Sequence, residues 1–250
     1  MGAVMEAAFP GFELLALAGL AAASFVASFI TVALGIGGGA LLLAVMASLM
    51  PPAALIPVHG AVQLGSNLFR AALLLGHVHR PPFAAFAAGS AIGVALGGSL
   101  VVNLPPAAVQ IGVGLFVIWS VLARPPAWLS RVPLLTGGMS SFLTMFFGAT
   151  GVFVANFTKS LNLPRQSHVA THAGLMTLQH LLKIAAFAAL GFGFGPWAAF
   201  IALMIAAGFL GTVVGRLVLV RISDPGFKRA LDVLLILISL RLIWGGISGG

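Results

Sequence analysis

The sequence predicts an all-α polytopic membrane protein built from two inverted repeats, and three observations support that prediction. The chain of 250 residues is 60% hydrophobic and 6% charged, whereas a soluble domain carries roughly 25% charged residues. Its apolar runs are continuous instead of alternating, which indicates membrane-spanning helices rather than a soluble enzyme or a β-barrel. Glycine-rich breaks also recur at matching places in the two halves, at 35–39 and 148–151.

Each half contains five apolar runs that glycine or proline separates. In the first half the runs are 12–34, 40–49, 53–76, 83–102 and 107–123. In the second half they are 132–147, a short run ending at Phe157, 166–190, 196–220 and 230–248. At ~20 residues per span, this length holds about eight helices or more. A polar link, 124–131, joins an N-terminal repeat (1–123) to a C-terminal repeat (132–250), and we expect one domain overall.

Composition and charge exclude several classes of protein. The net charge is +8, but the basic residues are scattered, so we expect cytoplasmic loops and no nucleic-acid partner. The absence of cysteine excludes disulfides and thiolate metal sites. The six histidines show no ligand spacing and have no acidic partner inside the spans, so no metal site is expected. Glu6 and Glu13 precede or begin the first run without any Lys or Arg, which argues against a signal peptide.

The two halves are related by an internal duplication. A shift of 113 positions gives eight identities between residues 28–70 and the second half. The matches include rare residue types and the breaks: Ser28 with Ser141, Thr31 with Thr144, Gly35 with Gly148, Gly38 with Gly151, Pro51 with Pro164 and His59 with His172. Arg70 falls on Lys183, another basic residue. Duplicated halves of this kind are typical of transporters.

The placement of charge predicts that the repeats are inverted. If every apolar run were a simple span, basic loops would fall on both sides of the membrane, which violates the positive-inside rule. If each glycine break is the tip of a hairpin that enters and leaves by one face, every basic loop becomes cytoplasmic. Glu6, Glu13 and the turns 103–106 and 191–196 then lie outside. We therefore predict that each repeat is a broken-helix hairpin plus three transmembrane helices.

The glycine breaks are the first candidate substrate-binding elements. The run 38–50 would be ~20 Å long as a helix, short of a hydrocarbon core of ~30 Å. Half-helices would present free N–H groups and positive dipole ends, which suits an anion. A nucleotide-binding loop is disfavoured because the Lys of that motif is missing. Packing through small residues is the alternative, and we prefer it for Gly93/Gly97 and Gly211/Gly215. The candidate glycines are Gly35, Gly37, Gly38, Gly39, Gly148 and Gly151.

Two polar stripes are the second candidate. Helical spacing places each set on one face of an apolar span, where polar groups are costly and normally face a cavity. The first stripe is His59, Gln63, Ser66, Asn67 and Arg70, and the second is Thr171, His172, Gln179 (with His180) and Lys183. The alternative for the stripes is hydrogen bonding between helices. For the two basic residues, Arg70 and Lys183, both snorkelling toward the interfaces and a role in gating or anion attraction stay open.

Polar residues beside the breaks complete the candidate site. Thr31, Thr144, Thr150 and Asn156 are placed to hydrogen-bond a substrate. The alternative is that the hydroxyls bond to their own helix backbone. Histidine titrates near neutral pH, so His59 and His172 are candidates for coupling transport to protons.

These residues resemble a known family. The segments "VALGIGGGALLL" (32–43) and "PPAALIPVHGAVQLGSNLFRA" (51–71) look like the sulfite exporter TauE/SafE family of membrane transporters. "FFGATGVFVANF" and "LPRQSHVATHAGLM" repeat the pattern, and the likeness covers 12–248. It implies a bacterial inner-membrane transporter of sulfite or organosulfonates, with both glycine breaks and both stripes at its site. One departure is Thr150, which stands where the first copy has Gly37.

We therefore expect a multi-pass secondary transporter of small sulfur-containing anions that works by alternating access. A channel-like facilitator for another small anion or solute is the alternative. An enzyme is not expected, because no GxSxG motif or comparable nucleophile–base pair occurs. We expect no cofactor, with H⁺ or Na⁺ as the coupling ion. The expected partners are the anion, the lipid bilayer and a second copy in a homodimer.

Overall fold

The chain forms ten α-helices and no strand within the part that the structure describes. The computed structural model describes residues 9, 12–34, 37–101, 105–123, 125–218 and 225–248. The helices are α1 (Leu14–Leu34), α2 (Gly38–Leu49), α3 (Pro52–Leu73), α4 (Phe83–Val101), α5 (Pro106–Leu122), α6 (Pro133–Phe147), α7 (Gly151–Ser160), α8 (Arg165–Ala189), α9 (Ala198–Val218) and α10 (Pro225–Ser248). The predicted all-α class is confirmed, with five helices in each half.

Proline and glycine set many of the helix ends. Pro52, Pro106 and Pro133 occupy the first helical position, where the missing N–H has no intrahelical partner to lose. Gly37 and Gly148 adopt positive φ angles of 103° and 75° where helices begin or end. The runs read from the sequence therefore differ from the helices by only a few residues.

Four helical segments are long and apolar enough to cross a membrane. They are Leu14–Ala33, Phe83–Val101, Gly195–Leu217 and Leu231–Ser248. Many large apolar side chains on these helices are exposed, including Leu237 and Trp244 on α10. An apolar surface on this scale requires a bilayer rather than water around it. The chain is a membrane protein.

Glycines bring pairs of helices into backbone contact. A methyl group at Gly93 of α4 would collide with the carbonyl oxygen of Gly138 on α6. A methyl group at Gly211 of α9 would collide with the carbonyl oxygen of Phe25 on α1. A methyl group at Gly215 would lie 3.0 Å from the carbonyl oxygen of Phe29. The predicted role of these small residues in helix association is confirmed.

Helices that correspond between the halves also meet each other, and they meet antiparallel. On α5 and α10, Gly114 lies against Ser239 and Ile243, while Gly246 lies against Ala107 and Ile111. Because the contact moves forward along one helix as it moves backward along the other, α5 and α10 run in opposite directions.

The same holds for α3 and α8 in the centre of the bundle. Gly60, in the first half of α3, lies against Lys183, near the end of α8. The ring of His59 lies 6.4 Å from that of His180, centre to centre. Beyond the end of α3, the backbone N–H of His79 donates to Oγ1 of Thr171 near the start of α8. The two helices therefore run antiparallel, and their crossing brings both polar stripes together.

Candidate functional site

The two glycine segments interrupt the helices as predicted. The α2 helix has 12 residues and the α7 helix has 10, so at ~1.5 Å per residue neither reaches across a hydrocarbon core of ~30 Å. Gly37 precedes α2, and Gly148 follows α6, each with a positive φ angle. A side chain is strained in this conformation, so the chain reverses here at glycine. Gly35 lies outside the described residues.

Close backbone contact at the first break also requires glycine. A methyl group at Gly38 would overlap the carbonyl oxygen of Ala27 and Oγ1 of Thr31 on α1. The start of α2 is therefore held directly against α1. At the equivalent Gly151 a methyl group would meet only ordinary contacts, 3.7 Å from Cε of Met176. The second break is less tightly closed than the first.

A cavity of about 1320 Å³ lies between the two breaks. It extends to exposed residues near 127–130 and 159–165, where it reaches the protein surface. The structure brings ten of the predicted site residues to its wall: Thr31, Gly37, Gly39, His59, Gln63, Asn67, Gly148, Gly151, Asn156 and His172. The two glycine breaks and the two stripes thus meet around one space.

Two equivalent histidines hold the starts of the two short helices. His59 Nε2 lies 3.1 Å from the carbonyl oxygen of Gly39, and His172 Nε2 lies 3.4 Å from that of Gly151. A carbonyl oxygen only accepts, so the ring N–H donates in each case. Each histidine therefore ties a stripe to its own break, and any movement of the break also moves the imidazole.

Eight predicted residues lie behind the cavity wall instead of on it: Gly38, Ser66, Thr144, Thr150, Thr171, Gln179, Arg70 and Lys183. The Thr144 hydroxyl donates to the carbonyl oxygen of Gly148 at 2.9 Å. The Thr171 hydroxyl accepts from the backbone N–H of His79 at 2.9 Å. These two hydroxyls are engaged in the scaffold, as is that of Thr31, which lines the cavity but donates to the carbonyl oxygen of Ala27.

Gln179 links the second break to the helix before it. Its Nε2 donates to Oγ1 of Thr150 at 2.9 Å, and its Oε1 accepts from the Ser140 hydroxyl. Thr150 stands at the N-cap of α7, so this bridge fixes the position where the half-helix begins. Gln179 therefore positions the break from behind the wall.

The two equivalent basic residues are both buried but differ in their contacts. Arg70 is 2% exposed and Lys183 is 0% exposed, so neither head group snorkels to an interface. The Arg70 guanidinium donates to Oδ1 of Asn67 at 2.9 Å and to the Ser66 hydroxyl at 3.2 Å. The Lys183 ammonium has no hydrogen-bond partner among the described residues.

The structure adds residues to the cavity that the sequence analysis missed. Met176 lines it at the position equivalent to Gln63, so the repeat alignment contained that signal. Lys159, Arg165 and His168 line its outer part, and Asp232 of α10 also reaches the wall. Arg165 and His168 lie seven and four residues before His172 on α8, so helical spacing could have found them, whereas Lys159 of α7 and Asp232 of α10 come from other elements.

A second, apolar pocket of about 570 Å³ lies apart from this cavity. Pro52 and Ala53 at the start of α3 line it, together with Leu190 and Gly191 after the end of α8. The large cavity is lined instead by the later part of α3 and the earlier part of α8. Because these helices are antiparallel, the two openings lie toward opposite ends of the bundle.

A helical bundle with two short broken helices facing one central cavity defines a membrane transport protein. The sequence profile described as Sulfite exporter TauE/SafE matches residues 20–242, nearly the whole chain. The chain belongs to this family, and the resemblance seen in the sequence is confirmed. It is therefore a transporter from a family of sulfur-anion exporters and not an enzyme. Comparison with curated proteins and with solved structures finds no match.

Proposed function

We propose that the chain is a secondary transporter that moves small sulfur oxyanions, sulfite or organosulfonates, across the bacterial inner membrane by alternating access. The observation that carries this proposal is that α2 and α7 both begin at the wall of one cavity. Helix N-termini offer unpaired N–H groups and the positive end of the helix dipole. Two such ends facing one space are suited to an oxyanion.

The side chains around the cavity support an anionic substrate. Lys159, Arg165 and four histidines line it, and Asp232 is the acidic residue that reaches it. A wall with an excess of basic groups attracts anions and raises their local concentration. A cation or a neutral solute would gain nothing from this distribution.

The helix directions support the inverted arrangement of the repeats. Helices α3 and α8 correspond under the duplication, as do α5 and α10, and both pairs meet antiparallel. Two equivalent helices that meet antiparallel are related by a two-fold axis perpendicular to them. For membrane-spanning helices such an axis lies in the membrane plane, which is the arrangement of inverted-topology repeats.

The two openings support alternating access. The cavity reaches the surface beside the basic residues Lys159 and Arg165, which the positive-inside rule assigns to the cytoplasm. Ile56 and Met145 line the apolar pocket, and Leu43 and Ile56 lie against Gly148, which lines the large cavity. We infer an inward-open state in which these three residues close the external side.

Flux into proteoliposomes tests the proposal. The purified protein should move sulfite or methanesulfonate saturably, and a coupling gradient should drive accumulation. A channel-like facilitator, the alternative, would equilibrate the solute without accumulation. Absence of flux for sulfite and for sulfonates, from protein that remains folded, would reject the proposed substrate class.

Proton coupling is the form of energy transfer that we propose. His59 and His172 line the cavity and contact the breaks through their Nε2 atoms. Lys183 and His180 face His59 from α8, and Arg70 faces His172 from α3. Replacing Na⁺ by choline at constant pH should leave the flux unchanged, whereas collapsing the pH gradient should stop accumulation. The homodimer stays a prediction, which the mass of the detergent-purified particle tests.

A further inference from the structure

Three buried polar atoms come together where α3 crosses α8. Nδ1 of His59, Nδ1 of His180 and Nζ of Lys183 are shielded from solvent and have no hydrogen-bond partner among the described residues. The two imidazole rings lie 6.4 Å apart, centre to centre. A methyl group at Gly60, next to His59, would lie 3.1 Å from Cε and 3.5 Å from Nζ of Lys183.

Buried polar atoms in native proteins nearly always have partners, so three unpartnered ones in one place need an explanation. An ammonium group without a counter-charge is especially unfavourable in an apolar interior. The chain has only four acidic residues, and no described carboxylate forms a hydrogen bond with Lys183.

The equivalent position in the first half shows what a structural basic residue looks like in this fold. Arg70 is hydrogen-bonded to Asn67 and Ser66, and Ser66 is in turn 2.9 Å from the Ser28 hydroxyl. At Lys183 the residue four positions earlier, Gln179, is instead directed to Thr150 and Ser140. The scaffold therefore engages the two terminal nitrogens of Arg70, while Nε of Arg70 and Nζ of Lys183 have no hydrogen-bond partner among the described residues.

We infer that His59, His180 and Lys183 form a buried anion subsite at the inner end of the cavity, which takes one sulfonate or sulfite group. His59 and His180 line the cavity and Lys183 lies behind this part of its wall, so the two imidazole rings must separate to admit an oxyanion to the ammonium. The Lys183 ammonium supplies the opposite charge and up to three N–H donors, whereas Nδ1 of His59 donates only when the ring takes up a second proton, because its Nε2–H is engaged with Gly39. This inference rests on the proposed function, because it names the groups that neutralise the charge of the transported anion.

In this subsite the two short helices and α8 contribute different kinds of positive charge. The N-termini of α2 and α7 contribute partial charges from backbone N–H groups. Lys183 contributes a full charge from a helix that carries no break. The head group of the anion is then held at the α3–α8 crossing, while the rest of an organosulfonate remains in the wider cavity.

Binding to the full-length protein in detergent tests the inference, with sulfite and methanesulfonate as the probes. Lys183→Met and Lys183→Gln should weaken binding at least about tenfold, the usual effect of losing a charge-assisted hydrogen bond. Arg216→Met is the control, since it removes an exposed basic residue near the end of α9 that does not line the cavity. Its dissociation constant should remain within about threefold of the wild type. Size-exclusion chromatography confirms that each variant is folded.

The outcomes separate this inference from the proposed function. If the wild type binds the probes and both Lys183 variants bind them equally well, the subsite is wrong and the transporter proposal stands. If Arg216→Met loses as much affinity as Lys183→Met, the special role of the cluster is also wrong. If the wild type binds neither probe, both proposals fail. A Lys183→Met protein that unfolds while Arg216→Met stays intact would show a structural role and overturn the inference.

Discussion

Replacing the two buried basic residues by methionine should affect the stability of the protein in different ways. Lys183→Met removes an ammonium group that is 0% exposed and has no hydrogen-bond partner in the described part of the chain. Exchange of buried charged groups for apolar side chains of similar size is often neutral or stabilising, by ~1–4 kcal/mol. We therefore expect Lys183→Met to keep or raise the free energy of unfolding while it impairs transport.

Arg70→Met removes a buried charge as well, but it also removes two hydrogen bonds, to Asn67 and Ser66. Hydrogen bonds to charged groups contribute ~1.5–3 kcal/mol each. If the desolvation of the two cations is similar, the free energies of unfolding of the variants should differ by about 3–6 kcal/mol. For a chain of this size, ~2–4 °C per kcal/mol gives a gap in melting temperature of roughly 6 °C or more.

Thermal unfolding of the detergent-purified proteins measures this difference, and unfolding by SDS in mixed micelles gives the free energies directly. Wild type and both variants should be compared in the same detergent and without added sulfur anions. A Lys183→Met protein as unstable as Arg70→Met, or less stable, would refute the reasoning. Lys183 would then have structural contacts equal to those of Arg70.

Three further predictions concern the breaks, the coupling and the direction of opening. Gly148→Ala should impair transport, because Gly148 has a φ angle of +75° and the new methyl group would lie 3.0 Å from Leu43. The control is Gly191→Ala: Gly191 has a φ angle of +90° but no neighbour within 4 Å of the new methyl group, so flux should stay near wild type. His59→Gln and His172→Gln should flatten the pH dependence of flux in proteoliposomes, and variants that retain the full dependence would refute proton coupling through these residues. Because the chain contains no cysteine, Asn156→Cys should react with an impermeant maleimide in inside-out vesicles and be protected by sulfite; labelling only in right-side-out vesicles would reverse the proposed orientation.

Much of the fold was predictable because its determinants are local. Proline at the first helical position and glycine at positive φ leave direct marks in the sequence, so the start of α3 and the breaks beside α2 and α7 were found within a few residues. The duplication added the correspondence between halves. The short lengths of α2 and α7, from which the hairpins were predicted, are also readable from sequence.

The candidate site was less predictable, since burial and pairing depend on which helices meet. Thr144 and Thr171 carry hydroxyl groups that could hydrogen-bond a substrate, yet both hydroxyls bond to backbone groups of the scaffold. Lys159 of α7 precedes a short turn and gave no periodic signal, but it reaches the wall of the cavity. The sequence shows which residues are polar within a span, while tertiary contacts decide which of them remain available.

The difference between Arg70 and Lys183 is the clearest case, and it bears on mechanism. Both residues are aligned by the duplication and both are buried, so the sequence presents them as equivalent. Their neighbours differ: Ser66 and Asn67 hold Arg70, whereas Gln179 is directed to Thr150 and away from Lys183. If the two repeats exchange conformations during transport, the outward-open state cannot be the exact two-fold-related equivalent of the inward-open state. The free cation stays on α8 in both states, which argues that the two repeats contribute unequally to binding the anion.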